Sequence, residues 1–197
     1  MRIGLLGGSF NPAHDGHRHI SLLALELLRL DEVWWMVAPQ NPLKPAADMA
    51  PFEARMESAL NVARHPQFHV TDIEDKLGTR YTADTLTSLK ARFPRTKFVW
   101  LMGADNLVEI VEWENWTAIF ATVPIAIFAR RSYSSRALAG TAAQRYARHR
   151  VHRRQASSLA DRTPPAWVFL HTSLSAASAT QIRARRRAGN RTRRPRS

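Results

Sequence analysis

The stretch GGSFNPAHDGH, residues 7–17, follows directly on the apolar run of residues 3–6. Its two glycines allow a ligand to approach the backbone closely and can adopt the positive φ angles that other residues avoid. His14 and His17 are three positions apart, so both imidazoles lie on one face of the first turn of a helix. The free N–H groups and partial positive charge of a helix start bind phosphate. The stretch therefore predicts a strand that leads through a phosphate-binding turn into a helix.

Two common phosphate-binding motifs are excluded by the spacing of this stretch. It matches neither G-x-x-x-x-G-K-[ST] nor G-x-G-x-x-G, so it is not a P-loop or the usual dinucleotide fingerprint. A zinc site is not supported either, because the chain has no cysteine and no third ligand accompanies the two histidines. A tight turn or an ordinary histidine would explain each part alone, but not the whole string.

Outward from this stretch, apolar runs alternate with segments of helical periodicity. The runs typical of strands are RIGLLG, EVWWMVAP, FHVTDI, KFVWLMG, VPIAIFA and AWVFL. Apolar residues recur at helical spacing after Gly16, Pro51 and Thr82. Strands separated by helices of this length form βαβ units. We predict an α/β fold, a doubly wound, Rossmann-like parallel sheet with helices on both faces and with ligands at the carboxyl ends of its strands.

The composition favours one domain with a sizeable core, since 45% of the 197 residues are hydrophobic. No apolar run approaches the ~20 residues of a membrane helix, and the first residues do not resemble a signal peptide. The absence of cysteine excludes disulfides and thiolate metal sites. We expect a cytoplasmic protein with no membrane partner, built as a single domain over residues 1–183. Within it, residues 132–165 lack an apolar strand and read as a basic helical excursion and loop.

Charge is distributed very unevenly along the chain. Residues 1–129 carry a net charge of −3, whereas residues 130–197 carry +16, with Asp161 as their only acid. Such asymmetry can indicate a nucleic-acid partner, so a basic nucleic-acid-binding module is an alternative of a different class. Seven arginines fall in residues 184–197, which we predict to be a disordered tail. No aromatic residue stands between them to stack on bases, which argues against that alternative.

The complete string G-G-[ST]-F-[ND]-P-x-H-x-G-H resembles the signature of the nucleotidyltransferase superfamily, in the form typical of bacterial nicotinate-nucleotide adenylyltransferases. The shorter H-x-G-H also occurs in cytidylyltransferases, in pantetheine-phosphate adenylyltransferase and, as a relative, in class I aminoacyl-tRNA synthetases. A synthetase is disfavoured because the chain lacks the length for a tRNA-binding domain and a K-M-S-K-S-type loop. Another H-x-G-H enzyme, similar to pantetheine-phosphate adenylyltransferase, stays open as the nearest alternative.

The resemblance implies transfer of the AMP part of ATP to nicotinate mononucleotide, giving deamido-NAD and pyrophosphate in NAD biosynthesis. One phosphate oxygen would attack the α-phosphorus in line, without a covalent intermediate. Positioning and charge stabilisation account for most of such a reaction. Mg²⁺ would bridge the β- and γ-oxygens, held by ATP and water, so no metal ligand is expected in the protein.

On the ATP side, the resemblance implies several residues by motif. LMGADNL resembles the family's G-x-D, and SAASATQIRAR resembles I-S-S-T-x-I-R with Ala177 and Ala179 as departures. PQNPLKP resembles P-N-x-x-P-H-[KR], with Leu43 where a histidine is usual. The catalytic candidates are His14, His17, Lys44 and Arg183. The ATP-binding candidates are Gly7, Gly8, Ser9, Phe10, Asp105, Ser178 and Thr180.

On the acceptor side, RYTADTL resembles Y-T-x-x-T-L, which implies that Thr82 binds the nicotinate carboxylate. Trp113 matches a tryptophan that stacks on the pyridine ring, and Trp116 matches a nearby aromatic position. Arg130 in IFARRSY matches the arginine of R-P-G-Y. Each has a simpler alternative: a helix N-cap for Thr82 and likewise for Asp105, and packing against a neighbouring helix for both tryptophans.

Overall fold

A computed structural model describes residues 1–39, 49–129 and 133–171 of the chain. The strands are β1 (Arg2–Gly8), β2 (Glu32–Val37), β3 (Phe68–Thr71), β4 (Lys97–Gly103), β5 (Ile125–Phe128), β6 (Arg150–Val151) and β7 (Trp167–Leu170). The helices are α1 (Asp15–Leu28), α2 (Phe52–Val62), α3 (Ile73–Leu77), α4 (Thr82–Arg92), α5 (Ala104–Glu109), α6 (Trp116–Thr122), α7 (Ser134–Ala139) and α8 (Thr141–Arg145). Segments Ile110–Glu112, Ala147–His149 and Arg153–Asp161 are 3₁₀ helices.

The strands form one sheet in the order β3-β2-β1-β4-β5-β7-β6, and every neighbouring pair is parallel. From β1 the chain adds β2 and β3 on one side and then places β4 and β5 on the other side of β1. β6 forms the far edge, and β7 lies between β5 and β6. The predicted doubly wound, parallel α/β sheet is therefore confirmed. Leu6 of β1 lies beside Leu101 of β4, so these two strands end next to each other. This reversal of strand order is where such sheets bind ligands.

Two apolar cores lie on the two faces of the sheet. Alternate residues of each strand point to opposite faces, so Ile3 and Leu5 enter one core while Leu6 enters the other. The first core also contains Leu86 and Leu89 of α4, and the second contains the α1 stripe of Ile20, Ala24 and Leu28. Helices thus cover both faces, as the sequence predicts.

Residues 132–165 differ in one respect from the prediction. The described part is helical as expected, but it also contains β6, which pairs with β7 at the edge of the sheet. This strand has only two residues, one of them an exposed arginine, so it shows no apolar pattern in the sequence. Asp161, the single acid of the basic half, accepts hydrogen bonds from Arg2 and Lys97, which begin β1 and β4.

The described ranges contain no helix that is both long and apolar enough to cross a membrane.

Candidate active site

The two glycines that end β1 have different structural roles. Neither adopts a positive φ, since Gly78 is the only described glycine that does. The freedom to adopt positive φ is therefore not the reason for glycine at positions 7 and 8. A Cβ on Gly7 would lie 2.4 Å from Cη2 of the Trp100 indole, so packing against Trp100 requires a glycine there. A Cβ on Gly8 would lie 3.6 Å from the Phe10 ring, which is ordinary contact. Space for a ligand is therefore a reason for glycine at position 8 only.

Phe10 is the residue of this turn with positive φ, at 45°. Its ring is only 2% exposed and stacks on Trp35 with centroids 5.2 Å apart. Its ring also contacts the His17 imidazole with centroids 4.8 Å apart, and the His17 and Trp35 rings contact each other at 5.9 Å. The Phe10 ring therefore supports His17 from within the core, so only the backbone of Phe10 is placed to contact a ligand.

The two histidines form a reciprocal cap at the start of α1. His14 is the N-cap residue, and its Nδ1 accepts a hydrogen bond from the Gly16 N–H at 3.1 Å. The Nδ1 of His17 accepts in turn from the His14 N–H at 3.2 Å. The two rings are stacked with centroids 3.9 Å apart. The predicted placement of both imidazoles at the helix start is what the structure contains.

This cap determines which nitrogen of each ring is protonated. A backbone N–H can only donate, so each Nδ1 must be an unprotonated acceptor and the ring proton lies on Nε2. His14 is 5% exposed, so its ring has little freedom to rotate. Both imidazoles are therefore fixed as Nε2–H donors next to the N–H groups of the first turn of α1, an arrangement suited to phosphate oxygens.

Helix α2 holds the same turn, through residues that the sequence pattern does not reveal. The Ser58 hydroxyl accepts a hydrogen bond from the Ala13 N–H at 3.1 Å. Arg55 is 2% exposed and donates to carbonyls after both β1 and β2, including that of Ser9 at 2.8 Å. Burial lowers the pKa of the Arg55 guanidinium from its usual value, and the Glu53 carboxylate acts in the opposite direction.

Apolar spacing in PFEARMESALNVARH predicts a buried stripe through Met56, Leu60 and Ala63, and this prediction is partly wrong. Ala63 is 6% exposed, but Leu60 is 57% exposed. The residues that α2 buries are Arg55 and Ala59. A signal existed, since the stripe through Arg55 and Ala59 fits the helix equally well, but a charged residue ordinarily indicates a solvated face.

Asp105 and Thr82 lie in the first turns of α5 and α4, but neither is an N-cap. Gly103 caps α5 and Tyr81 caps α4, both with extended backbone and without a side-chain cap bond. The N-cap alternatives for Asp105 and Thr82 are therefore wrong. Asp105 follows β4 at the reversal of strand order, and its Oδ1 is shielded from solvent. The Thr82 hydroxyl makes no hydrogen bond to the rest of the described chain.

The two tryptophans have unequal surroundings. Trp116 makes edge-on contacts with Phe120 and Tyr146, each with centroids 6.1 Å apart, and the Arg145 guanidinium lies 5.6 Å from its ring centre. Trp113 is half-buried against the first core and stacks on no aromatic ring of the described residues. The structure thus favours the packing alternative for Trp116 and leaves Trp113 as the better platform for a flat ligand.

A buried carboxyl lies just before Thr82 in the chain. Glu74 of α3 is 7% exposed, and burial raises the pKa of its carboxyl to about 7. The backbone of the same residue anchors the following turn, because the Glu74 carbonyl accepts from the Thr79 N–H at 3.0 Å. No pattern in the sequence indicates that this carboxyl is buried, since an acid in a short polar helix usually faces water.

We call residues 7–17 the donor side and Thr82, Trp113 and Trp116 the acceptor side. The predicted site residues that lie outside the described residues are Lys44, Arg130, Ser178, Thr180 and Arg183. Within residues 1–39, 49–129 and 133–171, no three His, Asp or Glu side chains come together as metal ligands.

Comparison of the sequence with known proteins shows the family to which this chain is related. Residues 5–185 match the cytidylyltransferase-like family. A protein of Cereibacter sphaeroides named probable nicotinate-nucleotide adenylyltransferase is 52% identical over 93% of this chain and 97% of its own. A protein of the same name from Parvibaculum lavamentivorans is 49% identical over 94% of this chain and 92% of its own.

The fold is shared with solved structures of lower sequence identity. The nicotinic acid mononucleotide adenylyltransferase of Plasmodium falciparum, solved in complex with NaAD, has a TM-score of 0.70 at 16% identity. That match covers 93% of this chain and 82% of the other. The family match over most of the chain and relatives at about half identity lead to one conclusion: the chain belongs to the cytidylyltransferase-like family, among the bacterial nicotinate-nucleotide adenylyltransferases.

Proposed function

We propose that this chain transfers the adenylyl group of ATP to nicotinate mononucleotide, forming deamido-NAD and pyrophosphate as a step of NAD biosynthesis in the cytoplasm. The observation that carries the proposal is the reciprocal cap of His14 and His17 at the start of α1. It lies at the carboxyl end of β1, beside the end of β4. The names of the relatives at about half identity support the choice of substrates.

The donor side suits the triphosphate of ATP. A phosphate oxygen of the acceptor nucleotide attacks the α-phosphorus in line, and the bond to the pyrophosphate oxygen breaks as negative charge builds on that leaving group. The Nε2–H groups of His14 and His17 donate to phosphate oxygens, and the N–H groups of the first turn of α1 add to them. No proton transfer to the protein is needed, so fixed donors are sufficient.

The acceptor side suits a flat ring that carries a carboxylate. We assign the exposed part of the Trp113 indole to stacking on the pyridine ring, a contact worth about 1–3 kcal/mol by analogy with bases. The Thr82 hydroxyl, or its N–H in the first turn of α4, donates to the carboxylate. Asp105, which follows β4, accepts from ribose hydroxyls of ATP.

Mg²⁺ enters this proposal with ATP. The donor side offers imidazole and backbone N–H donors, which suit phosphate oxygens rather than a hard cation that prefers oxygen ligands. We therefore assign no metal ligand to the described residues. When bound to ATP, Mg²⁺ neutralises charge on the β- and γ-oxygens. Lys44 and Arg183 are proposed as further cations on the basis of their motifs alone.

An acceptor panel tests the proposal directly. Pyrophosphate release by the full chain with Mg²⁺ and ATP is measured with nicotinate mononucleotide, nicotinamide mononucleotide and phosphopantetheine. We expect the highest kcat/KM for nicotinate mononucleotide. A preference for phosphopantetheine would instead support the alternative enzyme of the same superfamily and overturn the assignment of Trp113 and Thr82.

A further inference from the structure

Arg55 is a fully buried cation that contacts the backbone of three separate segments. Its side chain donates to the carbonyls of Ser9 at 2.8 Å, Ala38 at 2.7 Å, Pro39 at 2.6 Å and Ala50 at 3.0 Å. Ser9 belongs to the donor side, Ala38 and Pro39 follow β2, and Ala50 precedes α2. One side chain therefore links the segments that follow two neighbouring strands at the carboxyl edge of the sheet.

Arg55 forms no ion pair with a carboxylate within the described residues. Carbonyl oxygens hold its guanidinium, which also lies 5.3 Å from the centre of the Phe52 ring, and the Glu53 carboxylate favours its charged form without pairing with it. Burial of a guanidinium without a counter-ion is costly, so such an arrangement calls for a reason. The planar fork has five N–H donors in fixed directions and can hold several carbonyls at once.

Ser58 lies three residues further along the same helix and holds the other end of the turn. Its hydroxyl accepts from the Ala13 N–H at 3.1 Å, and Ala13 directly precedes His14. Arg55 therefore fixes the turn at Ser9 and Ser58 fixes it at Ala13. Because the N–H of His14 donates to the His17 ring, displacement of residue 13 would change the orientation of both imidazoles.

We infer that Arg55 is a positioning residue for ATP binding, which acts with Ser58 to set the backbone of the donor side and thereby the direction of the His14 and His17 donors. This role rests on the proposed function, in which the donor side receives ATP. It does not involve the acceptor side. Its loss should therefore weaken the binding of ATP and leave the binding of nicotinate mononucleotide almost unchanged.

The test compares Arg55→Lys and Ser58→Ala with the parent. Lysine keeps the charge but cannot reach four carbonyls from fixed directions, so we expect kcat/KM for ATP to fall by about 10- to 100-fold, as misplaced groups do. Loss of the single Ser58 hydrogen bond should raise the KM for ATP by about threefold to tenfold. The KM for nicotinate mononucleotide should change by less than about twofold in both variants, since no acceptor contact is lost.

Trp167→Phe is the matched control. It removes a buried hydrogen bond from a side chain to a backbone carbonyl, that of the Trp167 Nε1–H to Tyr146 at 2.7 Å. Its strand, β7, lies three positions from β1 in the sheet. We expect this variant to unfold at a lower temperature with unchanged KM for ATP.

Folded Arg55→Lys and Ser58→Ala variants with the parental KM for ATP would overturn the inference. An equal rise in KM for both substrates, or a rise for ATP in the control as well, would also overturn it, since that reports general destabilisation. If Arg55→Lys does not fold, Ser58→Ala decides alone.

The inference and the proposed function fail in different ways. A parent that binds ATP but does not use nicotinate mononucleotide would contradict the function only. In that case, the Kd of ATP measured by titration calorimetry for parent and variants still decides the role of Arg55. A parent that binds no ATP overturns both.

Discussion

The donor side and the acceptor side are built by different kinds of interaction. On the donor side, hydrogen bonds to the backbone hold the key side chains. The His14 imidazole accepts from the Gly16 N–H and the His17 imidazole accepts from the His14 N–H. Arg55 and Ser58 of α2 bond to the backbone of the same turn. On the acceptor side, Trp113 and Trp116 are held by apolar contact with the first core. The Thr82 hydroxyl has no hydrogen-bond partner among the described residues.

Because of this difference, substitution of a donor-side histidine should affect stability and activity together. Substitution on the acceptor side should affect mainly one of the two. A donor-side histidine both caps the helix and donates a hydrogen bond to phosphate, so substitution by alanine would remove both functions at once. The side chain of an acceptor-side group such as Trp113 caps no helix of the described chain, so its loss removes apolar contact with the first core but no hydrogen bond on which the local backbone depends. The four predictions that follow are arranged from the largest expected effect to the smallest.

His14→Asn separates capping from phosphate binding on the donor side. Asparagine is among the best N-cap residues, so α1 should retain its cap while the Nε2–H donor is lost. We expect kcat to fall by about 100- to 1,000-fold, the usual effect of removing one fixed donor to a developing charge, with nearly unchanged thermal unfolding.

His65→Asn is the control for that substitution. The His65 Nδ1 accepts from the Gln67 N–H at 3.2 Å, the same local bond that His14 makes to Gly16. Its activity should equal that of the parent. If His14→Asn retained parental activity as well, the phosphate role of that imidazole would be refuted.

Glu74→Gln should alter the pH dependence of the free energy of unfolding. Because the pKa of Glu74 rises from 4.5 to about 7 on folding, the folded protein holds a proton that the unfolded chain releases between these values. Stability from this group is therefore complete below about pH 4.5 and is lost as pH rises to about 7, by about 3 kcal/mol in all. Glutamine stays neutral, so the variant should lose less stability over this interval, as measured by urea unfolding at several pH values. Identical slopes for parent and variant would exclude the buried carboxyl as their source.

Trp113→Ala should act mainly on substrate binding, whereas Trp116→Ala should act mainly on stability. Loss of the Trp113 ring should raise the KM for nicotinate mononucleotide by about tenfold or more, with a smaller change for ATP. Loss of Trp116, which contacts Phe120 and Tyr146, should lower the free energy of unfolding by up to about 3 kcal/mol. Steady-state kinetics with each substrate varied, together with thermal unfolding, distinguishes them. An unchanged acceptor KM in Trp113→Ala would reject the stacking role.

Gly7→Ala and Gly8→Ala provide the smallest contrast, within the donor side. An alanine at position 7 would press its Cβ into the Trp100 indole, so we expect a loss of about 1–2 kcal/mol of stability from overpacking. An alanine at position 8 has room in the protein alone, so it should unfold like the parent but raise the KM for ATP a few-fold. Equal kinetics for parent and Gly8→Ala would show that no ligand approaches that position.

Most of the fold could be predicted because its signals are local. Alternation of apolar strands with amphipathic helices predicts β1 to β5 and β7, and helical crossovers between successive strands indicate a parallel sheet. The strand β6 could not be predicted, because Arg150 and Val151 are too few to form a pattern. Their pairing depends on the neighbouring β7, which is a tertiary contact.

The site was predictable where its residues are contiguous and not where they converge from distant segments. The cap of His14 and His17 lies within one short string. Arg55 acts through carbonyls up to 46 residues away, and a carbonyl carries no residue identity that a sequence could reveal. The caps at Thr82 and Asp105 were misplaced because side-chain preference does not say which of two neighbours takes the extended backbone, here Tyr81 and Gly103.

The backbone of Phe10, with φ at 45°, has a consequence for how the motif is interpreted. A left-handed phenylalanine costs about 1–3 kcal/mol, which a glycine would avoid, yet a glycine would lose the ring contacts with Trp35 and His17. Position 10 is thus a compromise between a strained main chain and a well-placed imidazole. Evolutionary constancy at such a position would reflect the architecture beneath a catalytic group, and a motif search that requires it selects for that scaffold as much as for chemistry.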